Sequence, residues 1–441
     1  MKSDSAVSIW HPFTQEALDP APIRIDRGEG AFLYTSDGRK ILDAISSWWV
    51  NLHGHSHPAI AAAIAEQARK LEHVIFAGFT HQPAEELAER LRGVLPKTLN
   101  HMFFSDDGST AVEVALKLAL QYWQNIGKPE KKRIVALDHA YHGDTAGAMA
   151  VGADSSFVTA FSEMRFPVLR VPSAYCFRCP VGKTRETCEI DCVAPFERLL
   201  EERHAEIAAL IVEPLLQGAG GMIVHPVEFL QRIRALCTKY DVLLIADEVL
   251  TGFGRCGRMF ACDLAGVVPD IMCLSKGLTG GFLAMAATVC TDRVHDAFCG
   301  KDRGLTFYHG HSYTGNPLGC AAGIASLKIF ETEPVFGRIA RVEEMHRARA
   351  AAWKNHPAVG DIRIIGTIMA VELEVNDPGY FSELRPALYQ FYLSRGILLR
   401  PLGNVVYVLP PYCISETDLR RVHDVIGESL DRVCRAATAS S

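Results

Sequence analysis

Apolar and polar positions follow two rhythms along this chain, and the switching between them outlines a fold. Short apolar runs rich in β-branched residues, at 134–137, 210–212, 242–246, 271–274 and 286–289, have the length of buried strands. Between several of them the spacing turns helical. Over 227–240, Phe229, Leu230, Ile233, Leu236 and Cys237 fall on one helical face. Strands bounded by helices form βαβ units, so the pattern predicts an α/β fold with a mainly parallel sheet. The stretches before about residue 60 and after about residue 330 mix short strands and helices instead. They predict a smaller α/β domain drawn from both chain ends, 1–60 and 331–441, beside a large domain over 61–330.

Composition changes this picture little. With 441 residues, 49% hydrophobic and 22% charged, the chain can bury a large core. A formal charge of −6 gives no case for nucleic acid or an anionic membrane as partner. The one short basic run, 131–133, reads as a solvated face. Residues 1–10 carry no apolar signal core, and no stretch reaches the roughly 20 apolar residues that span a bilayer. The expected compartment is the cytosol, where thirteen cysteines stay as thiols.

In an open parallel sheet, ligands sit beyond the carboxyl ends of the strands, so the polar residues that close each run matter most. They are 138–143, Glu213, Asp247-Glu248 and Ser275-Lys276. A lysine at a strand end beside a glycine can be partly desolvated and made nucleophilic; alone, Ser275-Lys276-Gly277 reads rather as a surface lysine closing a strand. Asp247 must find a partner or lose its charge, and a protonated pyridine nitrogen or a helix N-terminus would serve. Thr110 and Glu113 have capping-box spacing, which marks a helix start and places Gly108 and Ser109 as a phosphate seat or a plain cap. Tyr141 could stack on a flat heterocycle or simply pack.

Taken in order, 105–113, 140–145, Val212-Glu213-Pro214 with 217–221, 246–249 with 251–255, Ser275-Lys276-Gly277 and 311–317 resemble the class III aminotransferases over almost the whole chain. That resemblance implies fold type I of the pyridoxal-phosphate enzymes, with a large domain on a mainly parallel seven-stranded sheet and a smaller α/β domain. It implies pyridoxal 5'-phosphate as cofactor, held by Gly108, Ser109, Tyr141, Glu213, Asp247, Lys276 and Ser312. Lys276 would carry the cofactor and shuttle the proton, Asp247 would pair the ring nitrogen, and Tyr141 would complete the catalytic group. It further implies a homodimer with sites shared at the interface.

Within the family, 9–15, 46–49, 53–58, 396–401 and 407–412 look like the branch that makes 7,8-diaminopelargonate from 7-keto-8-aminopelargonate in biotin biosynthesis. The expected partners are therefore small molecules, a keto acid acceptor and an amino donor. Arg400 is a natural carboxylate clamp, because its planar fork binds both oxygens, and Trp48 offers apolar wall near the cofactor. The likeness also places Phe13, Asp144 and Gly310 on the substrate. The adenosylmethionine-using form has a tyrosine where this chain has Phe13, and a Pro-Thr pair where it has His311-Ser312. Ser312 can take over the hydroxyl role, from the partner subunit, and 309–316 resembles the lysine-using branch. The donor stays open between adenosylmethionine and lysine, and a broad ω-amino acid:pyruvate aminotransferase is the alternative.

Two groups imitate metal sites. Cys176, Cys179, Cys188 and Cys192 have spacing that could hold zinc, but the second pair departs from the usual two-residue gap and transamination needs no metal. They read as an exposed thiol-rich loop. His53, His55 and His57 alternate like ligands, yet sit in a glycine- and proline-bearing loop and read as packing or site lining. No metal is expected.

Overall fold

Residues 9–375 and 384–439 are described by the structure, a computed structural model; residues 1–8 of the N-terminal stretch read above lie outside them. The strands of the main sheet are β1 Leu99–Ser105, β2 Arg133–Leu137, β3 Leu169–Val171, β4 Ile207–Val212, β5 Leu243–Asp247, β6 Ile271–Leu274 and β7 Ala286–Thr291. Their lateral order is β1-β7-β6-β5-β4-β2-β3. Only β7 runs antiparallel to its neighbours; the other adjacent pairs are parallel.

The central strands are buried on both faces, which is why they read as continuous apolar runs rather than alternating ones. Successive residues nonetheless serve different cores. Leu243 and Ile245 of β5 pack with helix α1, Gly108–Asn125, through Val112, Ala115 and Trp123. Leu244 and Ala246 pack on the opposite side with helix α2, Val227–Lys239, through Phe229, Leu230 and Ile233. All five residues assigned to the buried face of α2 from their spacing are buried.

The two chain ends meet in a separate core. Strands Ile25–Glu29, Phe32–Thr35 and Lys40–Asp43 form a sheet that Ile397–Leu398 joins in parallel beside Leu42 and Asp43. A second small sheet combines Val359–Ile365, Ile368–Leu373 and Val405–Val408. Leu42 and Trp49 from one end pack with Val371, Tyr392 and Val422 from the other.

The basic run at 131–133 departs from its expected role. Lys131 is buried, and its ammonium donates to the carbonyls of His204, Ile207 and Asp241 at 3.0, 3.1 and 2.7 Å. The lysine stem packs on Trp123 while its head collects carbonyls from the turn before β4, the first residue of β4 and the loop between α2 and β5. Among the described residues, no helix is long and apolar enough to cross a membrane.

Candidate active site

The carboxyl ends of β2, β4, β5 and β6 open into a cavity of about 430 Å³, a size suited to a small ligand. Gly108, Ser109, Tyr141, Glu213, Asp247 and Lys276 all line it, so the strand ends singled out from sequence meet in one place.

Lys276 follows β6 after Ser275, with a left-handed backbone at φ 44°. Its Nζ lies 4.9 Å from the centroid of the Trp49 ring. Loss of water brings the ammonium down to a pKa of about 8, although the Asp247 and Glu213 carboxylates favour its charged form and Arg255 opposes it. An amine so disposed is a competent nucleophile near neutral pH.

Asp247 ends β5 and is buried. One carboxylate oxygen accepts from the Val249 N–H at 3.1 Å, and the other lies 2.6 Å from Nδ1 of buried His142. Nε2 of His142 has no partner among the described residues. His142 is a site residue beyond those expected from sequence, where its neighbour Tyr141 stood out; adjacency to a strand end is the signal that marks it.

Glu213 follows β4 and braces the walls. Its oxygens accept from the backbone N–H groups of Tyr141 at 3.1 Å and Gly218 at 2.9 Å. Burial still raises its pKa to about 7.

Helix α1 begins differently from the expected Thr110–Glu113 box. Asp107 is the cap, accepting from Thr110 N at 2.9 Å, while the Thr110 hydroxyl accepts from Asp107 N at 2.9 Å. Glu113 instead accepts from Gly147 N and Ala148 N at 2.6 and 3.1 Å. An aspartate already occupies the cap one turn earlier, so Glu113 is free to tie down the neighbouring loop. The earlier start puts Gly108 and Ser109 in the first turn, where N–H groups lack intrahelical partners and the helix dipole favours an anion. Gly143, at φ 125°, allows the loop after β2 to close on this turn: a β-carbon there would collide with the Ser109 hydroxyl. That hydroxyl accepts from Asp144 N at 3.2 Å.

These residues fit pyridoxal phosphate. The first turn of α1 with Ser109 offers donors for a phosphate, Asp247 an anion for a ring nitrogen, Tyr141 an aromatic face and Lys276 an amine for an aldehyde.

The residues expected to touch substrate spread outward from this centre. Trp49, not Trp48, forms the cavity wall. Trp48 is 45% exposed at the rim, because the strained turn through Ser46 and Ser47 (φ 52° and 59°) sends successive rings to opposite sides. There Trp48 meets Phe13 at 5.4 Å, and Phe13 meets Phe157 at 6.2 Å. The Arg400 guanidinium lies 5.4 Å over the Trp48 ring and has no carboxylate partner among the described residues. Asp144 is exposed, and the Tyr141 phenol has its pKa raised chiefly by burial and also by the negative charge of this carboxylate. Gly310 and Ser312 are exposed and do not line the cavity of their own chain.

The histidine triplet separates into three contacts: His53 with Ser326, His55 with Asp43 and His57 with Glu333. In the thiol-rich loop Cys176 is exposed and Cys179 and Cys188 are half-buried, but Cys192 is buried in the core beside Val193, which corrects the expected exposed loop at that position. Every described cysteine is a free thiol.

Residues 13–430 match the family described as aminotransferase class-III. The chain belongs to that family. The class III aminotransferase is 49% identical over 426 residues to the adenosylmethionine-8-amino-7-oxononanoate aminotransferase of Synechococcus elongatus, covering 96% of this chain and 99% of the relative. A crystal structure of the protein of that name from Methanocaldococcus jannaschii superposes with a TM-score of 0.90 at 37% identity, over 96% of this chain and 97% of that one. An amine transaminase from an uncultivated Pseudomonas species, in its PLP-bound form, gives a TM-score of 0.91 at 32% identity over 97% and 99% of the two chains. The aminotransferase therefore has the α/β transaminase fold expected from its sequence.

Proposed function

We propose that this class III aminotransferase uses pyridoxal 5'-phosphate to convert 7-keto-8-aminopelargonate (8-amino-7-oxononanoate) to 7,8-diaminopelargonate in biotin biosynthesis, with S-adenosylmethionine as amino donor. The observation that carries the substrate assignment is Arg400, a guanidinium without an anionic partner among the described residues, set over the Trp48 ring beside Phe13. A planar cation against an aromatic rim suits an apolar chain that ends in a carboxylate. The names of the relatives at 37–49% identity support the same acceptor and donor.

When bound, the cofactor supplies an aldehyde for the donor amine and a ring that delocalises the electron pair left at carbon. The protein supplies the rest. The first turn of α1 and Ser109 anchor the phosphate. Asp247, held by His142, keeps the ring nitrogen protonated. Tyr141 would offer an aromatic face to the ring, and Glu213 fixes the backbone of Tyr141. The Lys276 amine would take the proton from the donor carbon and hand it on within the same half-reaction, and would run that transfer in reverse for the keto acid, a general acid–base task that its lowered basicity serves. Arg400 then holds the keto acid, with Trp48, Phe13 and Asp144 around its chain and amine.

Gly310 and Ser312 act in the neighbouring site of a homodimer. Their loop is exposed together with Tyr308 and Tyr313, at 73% and 63%, and a second copy would bury these rings. The cytosol is the compartment that suits the free thiols.

The deciding assay offers 8-amino-7-oxononanoate with S-adenosylmethionine, with lysine, and pyruvate with a simple amine. Turnover of the first pair is expected. Transamination of pyruvate alone would reject the biotin assignment, and turnover with lysine alone would reassign the donor.

A further inference from the structure

Residues 172–190, all of them described, form neither helix nor strand between β3 and the short helical turn at Asp191–Val193. A loop of that length in a compact domain needs something of its own to hold it. Apolar packing does not serve, since none of the described residues from 175 to 189 is buried. The loop does hold four thiols, Cys176, Cys179, Cys188 and Cys192, and they share one neighbourhood. Burial, and then the other three thiols, push Cys192 up to about 12; burial with Cys188 and Cys179 raises Cys176, while Arg185 opposes them. Ionised sulfurs repel one another in this way only at short range.

The backbone bends at both pairs. Gly182, at φ 68°, closes a turn after the first, its N–H donating to the Cys179 carbonyl at 3.1 Å, and Ile190, at φ 62°, bends the chain within the second. Lys183 meets Asp191 at 2.8 Å and ties the two halves of the loop together. The same loop reaches the C-terminal part of the chain. Tyr175 donates its hydroxyl to buried Glu372, and Arg178 donates to that carboxylate at 2.7 and 3.1 Å. Glu372 also accepts from Arg363 at 2.8 Å, and Arg363 donates to the Gly221 and Met222 carbonyls, each at 2.9 Å.

We propose that Cys176, Cys179, Cys188 and Cys192 hold one structural zinc ion, which fastens the loop bearing Tyr175 and Arg178 onto Glu372. Four thiolates complete a tetrahedral zinc and leave no position for a substrate, so the ion stabilises rather than reacts. Each thiol gives up its proton to solvent on binding, and Lys183 and Arg185 offset the negative charge that results. No three of the four sulfurs lie within 4.8 Å of one another, so coordination draws the loop inward and supplies the core it lacks. Among the described residues, His295, Asp296 and Cys299 do bring three ligand atoms that close, with Asp296 and Cys299 exposed, and they serve as the control.

The test measures metal in the full-length holoenzyme purified without chelator. Plasma mass spectrometry should find about one zinc per chain, falling at least about tenfold in Cys176→Ser/Cys179→Ser and staying level in Cys299→Ser. Trypsin gives a structural readout: stripping zinc with a chelator should speed cleavage after Lys183 or Arg185 at least about tenfold, and added zinc should restore the parent rate. Should the double variant not fold, cobalt loaded into the parent decides. The intense charge transfer of four thiolates on a tetrahedral ion supports the site, and the weak band of a single thiolate overturns it. A parent that neither contains zinc nor takes it up, zinc retained in the double variant, or zinc lost only in C299S would each overturn the proposal. None of these readouts depends on the transamination substrate.

Discussion

Nδ1 of His142 lies 2.6 Å from Oδ2 of Asp247, with both side chains buried. A hydrogen bond to a carboxylate in so dry a place fixes the direction in which the acid points its other oxygen, and with it the ring nitrogen that acid would meet. Such a bond contributes about 1.5–3 kcal/mol. His142→Phe should therefore weaken cofactor affinity by roughly 10- to 100-fold, read by absorbance titration of the apoenzyme. An unaltered dissociation constant would remove His142 from the machinery.

Lys276 is expected to be indispensable, since no other described lysine lines the cavity. Lys276→Ala should lower turnover at least about a thousandfold, because both covalent attachment and proton transfer go with the amine. Borohydride reduction of the parent enzyme should fix the cofactor to the peptide containing Lys276, as mass spectrometry would show. A labelled peptide elsewhere, or normal turnover in K276A, contradicts the assignment.

Arg400 offers a sharper test of substrate than of chemistry. Loss of a two-pronged contact to a carboxylate costs about 1.5–3 kcal/mol. Arg400→Ala should reduce kcat/KM for 8-amino-7-oxononanoate by roughly 10- to 100-fold, most of it in the acceptor half-reaction. Stopped-flow traces of the two half-reactions separate the effects. A variant that reacts with the acceptor at the parent rate would place the carboxylate elsewhere.

Most of the cavity was legible because a parallel sheet writes itself twice: central strands are uninterrupted apolar runs, and their chemistry follows immediately. Asp247, the last residue of β5, and Lys276, just past β6, obey that rule. The edge of the sheet does not. In β1 the half-buried Asn100 and His101 break the apolar run, and β3 is only three residues long, so neither strand stood out. His142 escaped because its partner is 105 residues away, and no local pattern reports such a contact. Trp48 and Trp49 were easy to notice but not to tell apart, since the strained turn that sends one to the rim and the other to Lys276 leaves no mark in residue type. Lys131 was misread for a related reason: a basic run says where charge is, not where backbone carbonyls will gather.

Glu248, next to Asp247 but turned away from the cavity, predicts how stability responds to pH. It is fully buried and accepts from the Thr251 hydroxyl at 2.5 Å, Cys262 N at 2.8 Å and Ala261 N at 3.0 Å. Burial outweighs these donors and raises its pKa from 4.5 to about 7. The folded chain thus holds this proton more tightly than the unfolded chain. Its contribution is fully present below pH 4.5 and is lost as the pH rises through about 7. Glu248→Gln, neutral throughout, removes that loss while giving up one acceptor. The variant should be less stable than the parent at pH 5, and should recover by roughly 2–3 kcal/mol relative to it by pH 8. Urea denaturation at the two pH values measures the difference. A constant gap between parent and variant would mean that Glu248 is ionised in the folded protein across the whole range.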